Sequence, residues 1–144
     1  MLASGQVEEF KEELQRLLRN STSFYQTGEA KAELFYSGFM LGLMNMLAVS
    51  HIIDSEKETG KGRADIVLIP KMDRNNNAII IEYKIAKKEE ELELVAKSGL
   101  AQINNLQYDT KIKEHSHVQK VIKVSMAFCG KEVALQYQVD QLAF

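Results

Sequence analysis

Three ionisable residues stand where strand-forming runs meet loops: Asp65 at the mouth of the run "ADIVLIP", and Glu82 and Lys84 at the end of "AIIIEYK". In a strand successive side chains alternate between faces, so Glu82 and Lys84 share one face while Tyr83 points to the other. If the two runs pair antiparallel through the asparagine-rich loop "KMDRNNN", Asp65 comes close to the Glu82 and Lys84 end. Two carboxylates a few ångströms apart repel unless a cation lies between them, and an oxygen-only ligand set suits Mg²⁺ or Mn²⁺. A lysine ammonium beside such a site could orient a water molecule or offset negative charge on a phosphoryl group. The same three side chains could equally form a cross-strand ion pair on a half-exposed sheet face, worth about 0.2–1 kcal/mol. Residue types and spacing leave both readings open.

These residues need a scaffold. Val7, Phe10, Leu14, Leu17 and Leu18 recur at helical spacing among charges and predict an amphipathic first helix on the surface. The polar stretch 20–28 separates it from a second helix over residues 29–49, apolar nearly all round. Ser37, Gly38 and Gly42 in that helix would admit a close backbone, either of a sheet or of a second copy in a homodimer. A short strand "HIIDSE", a glycine turn "ETGKGR" and the two strands named above follow. Residues 87–117 form a charged, helix-prone segment in which Gly99 sits awkwardly. "VQKVIKVSMAFCG" and "KEVALQYQV" then predict a strand pair across a tight turn at Gly130. The 144 residues are expected to form a single domain, with 1–28 as N-terminal helix and linker and 29–144 as core.

Placed on this frame, Asp65 followed by Glu82-Tyr83-Lys84 resembles the D…(D/E)xK signature of the PD-(D/E)xK nuclease superfamily. The segments "EAKAELFYSGFMLGLM", "SEKETGKGRADIVLIP" and "AIIIEYK", followed by "GLAQI" and Tyr108, resemble more narrowly the nuclease domain at the C-terminus of bacterial AAA-ATPase-like proteins. Ala64 stands where the name-giving proline would be. The resemblance implies an α/β fold with a restriction-endonuclease-like core, an α-β-β-β-α-β mixed sheet flanked by helices, here with an extra N-terminal helix and a C-terminal strand. It implies a Mg²⁺- or Mn²⁺-dependent nuclease, acting on DNA ahead of RNA. Asp65 and Glu82 would be metal-binding carboxylates, the Tyr83 carbonyl a further ligand and Lys84 the catalytic lysine. Glu33 resembles the acidic residue supplied by the first core helix, and Gln102 a helix glutamine placed beside the metal. An ATPase module would be a partner, as a separate or deleted domain. The alternative implied by the same scaffold is a non-catalytic module docking nucleic acid or protein.

Composition narrows the classes. With 45% hydrophobic and 26% charged residues the chain reads as an ordinary globular domain. A net charge of −2 does not advertise non-specific phosphate binding, so nucleic-acid contact would rest on local groups: Lys61, Arg63, Lys87, Lys88 and Tyr108. Lys111, Lys113, Lys120 and Lys123 could add to a phosphate-contacting rim, though a solvated face is the default for such residues. His115 and His117, two apart, read as surface residues without a third metal ligand nearby. Methionines at 40, 44, 46 and 126 read as adaptable core filler. The single Cys129 allows no internal disulfide, and neither a signal peptide nor a membrane span of about 20 apolar residues is evident, so an intracellular, cytoplasmic protein without membrane contact is expected.

Overall fold

The computed structural model describes residues 5–20, 29–57, 64–71, 77–105, 112 and 115–142, with the backbone alone at 29–34, 54–57, 64 and 65. Helices α1 (Val7–Arg19) and α2 (Glu29–Leu47) precede strands β1 (His51–Lys57), β2 (Ala64–Pro70) and β3 (Asn77–Ile85). A 3₁₀ turn at Glu89–Glu91 leads into α3 (Leu92–Asn105), and β4 (Lys120–Cys129) and β5 (Glu132–Gln141) close the chain. The strands form one five-stranded sheet in the order β1-β2-β3-β4-β5, antiparallel except for the parallel pair β3 and β4. A parallel neighbour needs a crossover, and α3 supplies it.

The central strands explain themselves by composition. "AIIIEYKI" and "VIKVSMAFC" are β-branched or apolar on both alternating sets, as strands covered on both faces must be. β5 is covered at its start and opens to solvent after Leu135, as an edge strand does. Gly130 turns β4 into β5 with φ +60°, a left-handed conformation that a two-residue hairpin demands.

One face of the sheet carries α1 and α2. Ile66, Leu68, Ile79, Ile81, Ile122, Val124, Met126, Phe128 and Leu135 meet Val7, Phe10, Leu14 and Leu18 of α1 and Tyr36, Met40 and Leu47 of α2 in a single apolar core. α1 carries Glu8 and Glu9 in its first turn and Arg16 and Arg19 in its last, matching the helix dipole. Gln15 ties it to the edge of the sheet, donating to the Lys131 carbonyl at 2.7 Å and accepting from the Val133 N–H at 3.0 Å. Tyr36 stacks on Phe128 with centroids 4.6 Å apart and donates its hydroxyl to the Gly130 carbonyl at 2.6 Å.

α2 packs against the sheet as expected, through its bulky residues and not its glycines. The sheet-facing positions are filled by Tyr36 and Met40, with Phe39 and Leu43 packed against the same core, because bulky side chains are needed to fill the space between helix and sheet. Gly38 and Gly42 face outward, with nothing within 4 Å of where a Cβ would stand. Leu41 and Met46 are exposed on that side, so Met46 is not core filler.

At the far end of the sheet His51 is buried. Its Nε2–H donates to the Asn77 carbonyl at 2.9 Å, and Ser50 Oγ lies 2.7 Å from Nδ1, an arrangement that suits the neutral ring. Burial lowers its pKa, opposed by the hydrogen bond to Asn77. His117 donates to the Pro70 carbonyl at 2.6 Å, and both His115 and His117 are half-buried in the approach to β4. They are therefore neither strand residues nor free surface groups. Pro70 ends β2 and its carbonyl needs an outside donor, which His117 provides. Among the described residues no helix is long and apolar enough to cross a membrane.

Candidate functional site

The second face of the sheet lies under α3, and its middle is polar. Glu82 on β3 is opposite Ser125 on β4, and Ser125 is opposite Gln136 on β5. β2 pairs with β3 through Ile66 and Ile81, Val67 and Ile80, and Leu68 and Ile79. Continued by one residue, that register sets Asp65 opposite Glu82, and Asp65 is itself opposite Glu56 on β1. One row across the five strands thus reads Glu56, Asp65, Glu82, Ser125, Gln136. Lys84 lies two residues further along β3 on the Glu82 face, opposite Ala127.

Burial separates these groups. Glu82 is 2% exposed and Ser125 fully buried, whereas Lys84 is half-buried. A carboxylate sealed from water demands compensation by charge or hydrogen bonds. Glu82 interacts with its surroundings, and among the described residues its Oε2 atom accepts no hydrogen bond. The chemistry of the row, carboxylates on adjacent strands at one level, fits a hard divalent cation with oxygen ligands. Among the described residues no three His, Cys, Asp or Glu side chains form a group that could hold a metal; the side chain of Asp65 lies outside them.

α3 approaches this row unusually closely, and Gly99 is the reason. A Cβ built at Gly99 would stand 2.1 Å from Ser125 Oγ, 3.3 Å from Ser125 Cβ and 3.8 Å from Lys84 Cε. A side chain there would have to displace the Ser125 hydroxyl and would still crowd Ser125 Cβ, so the glycine that looked out of place in a helical segment has a packing role. Apolar patches flank the contact along the helix. Ala96 and Leu92 pack with Ala86, Ala127 and Ala134 at one end, and Ile103 packs with Val67, Ile80 and Val121 at the other.

Helical geometry orients the remaining α3 residues. Glu93 accepts from Gln136 Nε2 at 2.9 Å and Asn104 Nδ2 donates to Gln138 at 3.2 Å, so this flank faces β5. Gln102 comes nine residues after Glu93, which at roughly 100° per residue is about 180° around the axis. It is exposed on the flank toward β3, the side on which the Asp65 and Glu82 register positions lie.

Other residues singled out from sequence fall variously. Glu33 belongs to the first part of α2, whose described side chains pack on the opposite face of the sheet; its own side chain lies outside the described set. The Tyr83 ring lies on that same opposite face, edge-on to Phe128 at 6.4 Å. Lys87 and Lys88 follow β3 and are exposed. Lys61, Arg63, Tyr108, Lys111 and Lys113 lie outside the described residues. Lys123 does not join a phosphate-contacting rim. It is 8% exposed, with Nζ 2.8 Å from Asp140 and 3.0 Å from Asn104 Oδ1. Burial alone would raise the Asp140 pKa, but the hydrogen bonds from Lys123 and Gln138 and the lysine charge outweigh it and hold the carboxyl low. Cys129 is half-buried, its thiol pushed up by burial and by Glu89, Glu90 and Glu91, which disfavours the nucleophilic thiolate.

Sequence reading passed over Ser125, although two signals marked it. A lone serine interrupts an apolar central strand, and a lone glycine interrupts the helix that covers it.

No curated protein and no solved structure matches the chain. A family model described as PD-(D/E)XK nuclease superfamily matches residues 31–138. That match runs from within α2 to within β5 and takes in all the strands that build the polar row. The chain belongs to the PD-(D/E)XK nuclease superfamily.

Proposed function

We propose that the chain is a nuclease that hydrolyses phosphodiester bonds with a divalent metal ion, Mg²⁺ or Mn²⁺, on DNA ahead of RNA. The observation that carries this reading is the register of β2 and β3, which pairs Ile66 with Ile81 and, continued by one residue, sets Asp65 opposite the buried Glu82, with Lys84 two residues on along the same face. Family membership supports the reaction class; the metal, the substrate and the residue roles are our reading.

Asp65, Glu82 and the carbonyl of Tyr83 would hold the ion, with Glu33 as a further ligand. Bound there, a divalent ion supplies a Lewis acid for the phosphoryl oxygen and makes water more acidic. Glu82, shielded from solvent, would meet the cation with little competition from water. Lys84 holds its ammonium at the end of a stem that passes beside Gly99, and so orients the attacking water or offsets charge on the phosphoryl group. The water oxygen bonds to phosphorus, the bond to the leaving oxygen breaks, and that oxygen takes up a proton. Gln102, on the flank of α3 toward β3, would hydrogen-bond to the attacking water or the phosphate. Lys87 and Lys88, with Lys61, Arg63 and Tyr108, would contact the nucleic-acid backbone. The likeness to nuclease domains carried behind ATPase modules supports an ATPase as partner.

Cleavage of single-stranded, duplex and branched DNA with Mg²⁺, Mn²⁺ or chelator tests this. Glu82→Gln keeps the volume and removes the ligand charge, so metal-dependent cleavage should fall about 100- to 1000-fold or more while circular dichroism is unchanged. Lys84→Ala should bind metal normally and turn over slowly. Full activity in Glu82→Gln would overturn the site. A wild-type protein that binds nucleic acid but neither cleaves it nor responds to metal would be the non-catalytic docking module.

A further inference from the structure

We propose that Ser125 is a positioning residue for Glu82, its hydroxyl donating a hydrogen bond to the carboxylate from the β4 side and fixing the orientation in which Glu82 meets a divalent cation. The proposal deepens the metal-site reading above and rests on it.

The hydroxyl is anomalous where it stands. Ser125 is fully buried and its Oγ makes no hydrogen bond among the described residues. A buried polar group without a partner destabilises a fold, and alanine would fill the same place beneath Gly99 without that burden. Its neighbours on the same strand face are accounted for, since Ala127 is apolar and buried and Lys123 is ion-paired with Asp140. What distinguishes position 125 is its register partner. Glu82 and Ser125 are directly opposed on parallel strands, which lie about 4.8 Å apart. Two buried polar side chains meet there, between the apolar patches around Ile80 and Ala127.

The other donors on this side of the row are committed. Gln136 Nε2 donates to Glu93 at 2.9 Å, and Lys123 is held by Asp140 at 2.8 Å and Asn104 at 3.0 Å. Ser125 is the donor that the sheet leaves next to Glu82 on the β4 side, as Asp65 is its register neighbour on the β2 side. In the described conformation Oγ is directed at the α3 backbone, at the spot where Gly99 and Lys84 also meet. Rotation about one bond to another staggered well carries the hydroxyl away from α3 with no movement of the backbone. A metal-binding carboxylate held by an outer hydrogen bond offers its remaining oxygen in a defined direction, and loss of such a bond weakens metal binding.

Ser125→Ala and Ser125→Thr in the full chain test this, with Mn²⁺ as the probe in calorimetric and thermal-shift titrations. Ser125→Ala should melt at or above wild type without metal, because it removes a buried hydroxyl that makes no hydrogen bond, yet bind Mn²⁺ about 10- to 100-fold more weakly. Ser125→Thr, which restores the hydroxyl, should recover most of the affinity. Mn²⁺ affinity in Ser125→Ala equal to wild type overturns the proposal, as does a threonine variant no tighter than alanine. A marked drop in the metal-free melting temperature of Ser125→Ala would assign the hydroxyl a structural role and overturn it too. If wild type itself fails to bind Mn²⁺, the metal-site reading falls along with the proposal; if wild type binds and Ser125→Ala binds equally, the proposal alone falls.

Discussion

The two faces of one sheet are made from alternate residues of the same strands, yet they are built for different ends. Under α1 and α2 the face is continuously apolar, from Ile66 and Ile81 through Val124 to Phe128, and closes on a group of rings in which Tyr36 lies against Phe128 at 4.6 Å. Under α3 the apolar side chains divide into two smaller patches, one around Ile80 and Ile103 and one around Ala96 and Ala127. Between them stand Glu82, Ser125 and Lys84, covered by a glycine. Burying apolar area contributes roughly 25 cal/mol per Å², so the first face supplies the stability that lets the second keep polar groups poorly suited to a core.

This division can be broken from the stable side first. Phe128→Ala should cost about 3–5 kcal/mol, because it empties the ring cluster against which Tyr36, Phe39 and Tyr83 pack. Urea unfolding measures it, and a loss below about 1 kcal/mol would deny that face its role.

On the polar side the expected response is to metal. A cation that binds only the folded chain adds about 2.7 kcal/mol at one hundred times its dissociation constant, so Mn²⁺ should raise the melting temperature of wild type. Asp65→Asn should largely lose that rise, while Phe128→Ala, though less stable, should retain it. An equal metal shift in Asp65→Asn and wild type would disconnect Asp65 from the ion.

The contact of helix and sheet gives a smaller effect with a sharper signature. Gly99→Ala should cost up to about 1–3 kcal/mol, since its Cβ would have to displace the Ser125 hydroxyl and would crowd Ser125 Cβ. In a Ser125→Ala background the nearest remaining atoms are Ser125 Cβ at 3.3 Å and Lys84 Cε at 3.8 Å, so the cost should shrink. A double-mutant cycle measures the coupling, and simple additivity would contradict the packing described.

The smallest expected effect is a slope. His51 is buried and its pKa is lowered from the ordinary value of 6.5, so the unfolded chain binds the proton more readily than the folded one. Its contribution to stability is complete above about pH 6.5 and declines as the pH falls through the folded pKa. His51→Gln should flatten that part of the curve of melting temperature against pH between 7.5 and 5. An unchanged slope would remove His51 from the account.

Much of this molecule is legible in its residues. The strand 64–70 and the strand ending at Lys84 are marked by β-branched runs, and the hairpin at Gly130 by a glycine between two such runs; the structure has β2, β3 and the β4–β5 turn there. The antiparallel pairing expected of the first two strands is present in the register of Ile66 with Ile81. Lys123 was not legible: a lysine in a β-prone run looks like a surface charge until the partners that bury it, Asn104 and Asp140, are brought in from α3 and β5. The glycines of α2 left their side of the helix undecided for a related reason, because small residues permit close approach without saying which face is approached.

Local chemistry in the sequence determined the elements and which residues alternate together, because strand and helix periods are properties of the backbone and need no distant partner. It placed Glu82 and Lys84 on one face by that rule alone. Only the tertiary structure decided who stands beside them. The parallel pairing of β3 and β4 joins residues 43 positions apart to set Ser125 against Glu82, and the seating of α3 brings Gly99 over both Ser125 and Lys84. Register between distant strands depends on how the whole core packs, and a one-residue slip would have turned Ser125 away to the other face.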